Sequence, residues 1–260
     1  MMDPSLYSPD RSVSAKIKRR LTYWRTAKPI GRIPENGMVS FTFDDFPRSA
    51  AEYGAEVLQS NDARGTFYVC TGMLGQSNIM GDMFSAYDLE TLGSAGHSIA
   101  THTHNHIDCA RVNPVTVRNE IKKNQSGLLD LQVGQDLSHF AWPYGETTAE
   151  NKMEIGDLIS TARGILPGIN RKGSDLMQLG AFELTPDLWT IKRASGAIER
   201  AARKGGWTII FTHDVQANPS PFGTKPHALQ HLVKQSRDAG LEILTIPEAF
   251  SRLNQEDISA

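Results

Sequence analysis

Cysteine is scarce in this sequence: Cys70 and Cys109 are the two thiols in 260 residues, and they form no CxxC spacing. That excludes a disulfide framework and a thiolate metal site, and both are read as reduced and structural. No apolar run approaches the roughly 18 residues that a membrane-spanning helix requires. Met1 to Ile30 contains no apolar stretch resembling the core of a secretion signal, so a cytoplasmic location is expected. Excess charge is missing too. The 27 lysines and arginines nearly balance 29 acidic residues, which names no nucleic-acid partner. Internal repeats and low-complexity tracts are absent, which excludes a solenoid.

What is present suits one large α/β domain. Residues 1–35 read as a polar arm with a basic cluster, Lys16, Lys18, Arg19 and Arg20. Such a segment is expected to be solvated and partly disordered, with contact to an anionic membrane surface as the lesser reading. Residues 36–260 read as a single catalytic domain in which short β-rich runs alternate with helical patterns, in about seven units. The expected strands are Val39 to Phe43, Thr66 to Cys70, Ser98 to Thr101, His139 to Trp142, Thr161 to Ile165, Met177 to Glu183 and Trp207 to Thr212. Expected helices cover Ala50 to Ser60, Tyr87 to Ala95, Pro114 to Leu131, Leu188 to Arg203 and Pro226 to Ala239.

Polar residues gather where these strands end. Asp44 and Asp45 follow Phe41-Thr42-Phe43, His102-Thr103-His104-Asn105-His106 follows Ser98-Ile99-Ala100, Pro143-Tyr144-Gly145 follows Phe140-Ala141-Trp142, and His213 follows Ile209 to Thr212. In a (β/α) barrel those ends converge on one face, where the chemistry is done. Two imidazoles and a carboxylate can hold a divalent metal with a position left open for water, and Asp45, His102 and His106 would serve. A helical turn puts His102 and His106 on one face, whereas a continuing strand would pair His102 with His104 as in amidohydrolases. Residue order argues against the second, because that pattern usually opens the first strand. Adjacent aspartates are often only helix caps. Beside a metal-bound Asp45, however, Asp44 is placed to act as a base. A lone histidine ending an apolar strand is as often core as site, but next to such a centre His213 becomes a candidate general acid.

The motifs Thr42-Phe43-Asp44-Asp45, His102-Thr103-His104-Asn105-His106, Trp142-Pro143-Tyr144-Gly145 and Phe211-Thr212-His213-Asp214 together resemble the polysaccharide deacetylase family, the NodB-homology or carbohydrate esterase 4 group, in that family's order from Met38 to Phe250. The resemblance implies a distorted (β/α)7-type barrel and removal of N-acetyl groups from an N-acetylated sugar or polysaccharide, releasing acetate. Zinc is the usual ion, with cobalt or nickel as substitutes. It further implies Asp44 as base, Asp45, His102 and His106 as metal ligands, His213 as acid, the backbone N–H of Tyr144 as oxyanion donor, and Thr103 as a brace for the histidine loop. His97 and His104 receive no catalytic role.

Two features depart from the family pattern. Ala141 stands near the place of the arginine that orients the base, with Arg163 and Arg171 as substitutes, against a surface role for either. Asp187-Leu188-Trp189 is the nearest match to the aspartate and tryptophan that flank the acid, and reads equally well as a helix start. The rival functions are a metal-dependent amidase acting on a small amide, cyclic imide or ureide, and a non-catalytic carbohydrate-binding relic. Asn218 to Gly223 is expected to shape one wall of the pocket.

Overall fold

The computed structural model describes residues 7, 8, 10, 12–133 and 136–254. The elements run α1 Val13–Trp24, β1 Met38–Asp44, a π-turn Ala50–Gly54 leading into α2 Ala55–Gln59, β2 Thr66–Val69, a hairpin of β3 Ser77–Asn78 and β4 Gly81–Asp82, α3 Ala86–Ser94 and β5 Ser98–Thr101. There follow α4 Pro114–Asp130, β6 His139–Ala141, α5 Ala149–Glu154, β7 Thr161–Arg163, β8 Phe182–Glu183, α6 Leu188–Lys204, β9 Trp207–Thr212, α7 Pro226–Asp238, β10 Glu242–Ile243 and α8 Ile246–Asn254.

β1 and β9 are buried at every residue, as expected of central strands covered on both faces. They carry apolar residues on both sides of the pleat and pair in parallel over six positions, Met38 with Trp207 through Phe43 with Thr212. Parallel pairing continues in the order β7-β6-β5-β2-β1-β9-β8, with β10 added beside the start of β1. Leu179 bridges the two edges. Its N–H donates to Ala162 O and its carbonyl accepts from Gly164 N–H, both at 2.9 Å, and the same segment then enters β8 beside β9. This curled parallel sheet with surrounding helices is the distorted (β/α)7-type, single-domain barrel implied by the sequence. Among the described residues, no helix is long and apolar enough to cross a membrane.

Several helices start where side chains can satisfy their first N–H groups. Ser85 and Asp88 form a reciprocal capping box on α3, and Asn113 caps α4 ahead of Pro114. α6 turns Ala194, Ala197, Ile198 and Ala201 onto the sheet, and Phe41, Phe43, Phe67 and Phe46 join the same core. Burying each of these rings contributes about 1.5–3 kcal/mol.

Three expectations need correction. The strand foreseen over Met177 to Glu183 breaks into a 3-10 turn at Leu176–Gln178 and the short β8, because Asp175 caps the turn and accepts from Met177 N–H. α5, α8 and β10 had no expected counterpart. The solvated arm is, where described, a docked helix: Lys152 Nζ donates to Thr22 O and Arg25 O, Arg19 pairs with Glu146 at 2.7 Å, and Thr22 is buried. These contacts lie more than a hundred residues away in sequence, so local composition does not reveal them. Residues 1–6, 9 and 11 of the arm lie outside the described residues.

Candidate metal centre and active site

Asp44 ends β1, and Asp45 follows it with φ 53°, a turn that sends neighbouring carboxylates to different partners. Thr103, His106 and Tyr144 also have positive φ, so four of the six such non-glycine residues among those described lie in the loops of this site. Backbone of this kind costs free energy and persists where packing and function over-determine it.

β5 ends at Thr101, and the chain then turns, which decides between the two histidine spacings. His102 Nδ1 lies 2.7 Å from Ala141 O. A carbonyl only accepts, so Nδ1 carries the proton and Nε2 keeps its lone pair, 3.8 Å from Asp45 Oδ1. His106 Nε2 lies 3.2 Å from Asp45 Oδ2. Ligand atoms of Asp45, His102 and His106 all fall within 4.8 Å of one another, and all three residues are buried. His104 faces elsewhere, with Nδ1 2.8 Å from Thr71 Oγ1 in a network centred on Asn124, which donates to Val69 O and Thr101 Oγ1. Thr103 Oγ1 accepts from Ile107 N–H, the bracing contact expected of it. His97 lies apart, with Nδ1 accepting from Gly65 N–H and Nε2 meeting the Gln59 amide.

Burial sets the protonation of this trio. It lowers His102 to about 3, helped by the Arg163 charge, and depresses His106 well below the usual imidazole range, so both are neutral at physiological pH. Burial, then the Asp44 charge, pushes Asp45 up to about 8. The short Asp45 contacts are therefore those of a ligand set rather than salt bridges. Two neutral imidazoles and a carboxyl that ionises only with help are a donor set suited to a divalent cation. Asp44 Oδ1 is buried beside them without a protein hydrogen-bond partner, which also fits a group bound there. Cys70 lies 3.0 Å from His102 O and 3.4 Å from Asp45 Oδ1, but burial pushes its thiol well up, making it a brace and not a ligand.

Arg163 answers the missing arginine. It is fully buried at the end of β7, donates from Nη2 to Asp44 Oδ2 and from Nη1 to Gly164 O, and its guanidinium lies over the rings of Tyr68 and Phe211. Ala141 and Arg163 are register partners across β6 and β7. The charge absent from position 141 thus arrives from the directly adjacent position on the next strand. Arg171, the other candidate, donates instead to Lys204 O at the surface.

His213 follows β9 on the same face. Its Nδ1 lies 3.2 Å from Phe222 O and must be the donor, which leaves Nε2 for proton chemistry. The loop that supplies Phe222 folds around buried Asp214, which accepts from Ser220 N–H, Ser220 Oγ and Gln216 Nε2. Gly223 is required there, since a Cβ would stand 2.1 Å from Asp214 Oδ1.

A cavity of about 550 Å³ joins these parts and is lined by Asp44, Asp45, His102, His106 and His213. Met80, Trp142, Tyr144, Ile165, Phe211 and Phe222 supply apolar walls, and Glu183 faces in beside them. Tyr144 lies against His106 with ring centroids 4.4 Å apart. Tyr7 stacks on Tyr144 at 3.6 Å, donates to Asp108, and closes that side. Asp187 caps α6 and lies outside the cavity lining, whereas Trp189 stands at its rim beneath the Arg193 guanidinium. Reasoning from sequence missed Tyr7 and Glu183. Glu183 ends an expected strand, a position that could have marked it.

A parallel barrel thus carries, at its strand ends, a trio of side chains that could hold a metal ion. The family model described as "Polysaccharide deacetylase" matches residues 31–158, just under half of the chain, so that segment is similar to a polysaccharide deacetylase domain. It is 24% identical over 228 residues to a chitin deacetylase of Arthroderma benhamiae, covering 85% of this chain and 54% of that protein. A second relative is the peptidoglycan-N-acetylglucosamine deacetylase PgdA of Listeria monocytogenes, 26% identical over 244 residues and covering 92% and 44%. This chain thus spans about half the length of the curated relatives it matches. The chitin deacetylase structure from Colletotrichum lindemuthianum shares the fold, with a TM-score of 0.62 at 17% identity, covering 86% and 92% of the two chains.

Proposed function

We propose that the protein is a divalent-metal-dependent deacetylase that hydrolyses the acetamide of an N-acetylated amino sugar or its polymer to acetate and a free amine. One observation carries the reading: Asp45, His102 and His106 converge while Asp44, held by Arg163, lies beside them. The names of the relatives, acting on chitin and on peptidoglycan, support the substrate class. A metal bound by the trio, zinc by preference, would polarise the acetyl carbonyl and make water a nucleophile at neutral pH.

The chain's own residues handle the protons. Arg163 occupies Asp44 Oδ2, which leaves Oδ1 to accept the proton of the attacking water. Fixing one oxygen selects the orientation of the other. His213, pinned through Nδ1, delivers a proton from Nε2 to the departing nitrogen. The Tyr144 peptide, turned by its positive φ on the wall beside His106, is assigned to the oxyanion.

The Tyr7–Tyr144 stack favours a second reading, a small amide, cyclic imide or ureide, because it narrows the cavity on one side. Loading the protein with zinc, cobalt or nickel and measuring acetate from N-acetylated oligosaccharides, beside turnover of small amides, separates the two. Asp44→Asn is expected to lower kcat about 10²–10⁴-fold with metal content unchanged. Retention of full activity would overturn the proposed base.

A further inference from the structure

α1 is mounted with its apolar face outward. Val13, Ile17, Leu21 and Trp24 recur at i, i+4, i+8 and i+11, a single stripe on an α-helix, and are 73%, 54%, 51% and 67% exposed. The opposite face, Ala15, Arg19 and Thr22, is the one turned inward. Lys16 and Arg20 flank the stripe on one side and Lys18 lies beyond it on the other, all exposed, and the helix contains no acidic residue. The Arg20 guanidinium lies over the Trp24 ring.

We infer that this face of α1 docks on an anionic lipid bilayer. An apolar stripe with a tryptophan at its end and cations along its flanks matches a helix lying in the plane of the headgroups, its apolar side chains below and its cations at the phosphates. A second copy is a poor occupant, because two-fold pairing would set Lys16, Lys18 and Arg20 against their own counterparts. A soluble anionic polymer could pair with the cations but would leave the stripe in water. Docking also bears on the cavity. Arg19, on the inward face, holds the cavity-lining Glu146, so a bilayer against the outward face lies beside that wall.

The experiment is co-sedimentation of the full chain with vesicles of phosphatidylcholine alone and of equal parts phosphatidylcholine and phosphatidylglycerol. Binding to the anionic vesicles only is expected, with a blue shift of tryptophan emission that Trp24→Phe removes. The double variant Ile17→Ser/Leu21→Ser and the triple variant Lys16→Glu/Lys18→Glu/Arg20→Glu are each expected to lower the bound fraction about tenfold or more, with an unchanged circular dichroism spectrum. Absence of binding to the anionic vesicles, or equal binding by the double variant, overturns the inference. So does a concentration-dependent dimer that the double variant abolishes. None of these readouts depends on catalysis, so the inference stands or falls apart from the proposed reaction.

Discussion

Among the described residues two buried ion pairs, Lys152–Asp175 and Arg163–Asp44, differ in how completely they are satisfied. Lys152 Nζ is surrounded by Thr22 O, Arg25 O, Asp175 Oδ2 and Gln178 Oε1, while Asp175 also accepts from the N–H groups of Ala27, Lys28 and Met177. Every strong donor and acceptor in that pair is used. In the Arg163–Asp44 pair, Asp44 Oδ1 and Arg163 Nε have no partner. Nearly all buried polar groups find partners, so the complete pair reads as a clasp and the incomplete one as a reagent. Burial and charge are alike in the two, and only the leftover valences set them apart.

That contrast can be broken at four points. Lys152→Met leaves Asp175 buried and uncompensated, and should destabilise the protein by about 3–5 kcal/mol in urea unfolding, with the metal affinity of the folded fraction unchanged. An altered affinity would erase the distinction.

His97 extends the satisfied class to histidine. Burial, with a contribution from Arg64, lowers it to about 4, so between pH 6.5 and 4 the unfolded chain binds a proton that the folded one refuses. Stability is therefore expected to fall by about 3 kcal/mol across that window and then level off. The stability-pH curve of His97→Gln should lack this component.

Arg163→Ala tests the incomplete pair. A loss of about 100-fold in kcat is expected from a misplaced base, with metal stoichiometry retained. Adding Ala141→Arg, its register partner, should recover about tenfold of that loss if the guanidinium can serve from either strand. No recovery would tie the base to β7 alone. The smallest effect is on metal uptake. Asp45 must lose its proton to ligate, so affinity should rise about tenfold per pH unit up to pH 8, read as proton release in calorimetry. A flat profile would place the carboxylate outside the coordination sphere.

The fold was legible where periodicity and burial agree. The strand expected over Ser98 to Thr101 and that over Trp207 to Thr212 match β5 and β9, because central parallel strands read as continuous apolar runs. Asp44, Asp45, His102, His106 and His213 were legible for the same reason: each follows such a run. What the sequence left open, such as the choice between Arg163 and Arg171, depends on relations between strands. That Arg163 reaches Asp44 follows from the register of β6 against β7, which neither segment encodes alone. α1 escaped because its outward face is the apolar one, the reverse of the pattern that marks a packed helix.

The loop after β9 carries a lesson for anyone reshaping this cavity. Asp214, Ser220 and Gly223 form a closed knot of hydrogen bonds and steric fit that aims the Phe222 carbonyl at His213. Ala217 and Asn218, by contrast, are exposed at its tip. Diversity introduced at the tip leaves the knot tied, whereas a library that spans the whole loop would scramble the histidine's orientation along with the wall. Variation in this loop has a short exposed stretch to write on and a fixed frame around it.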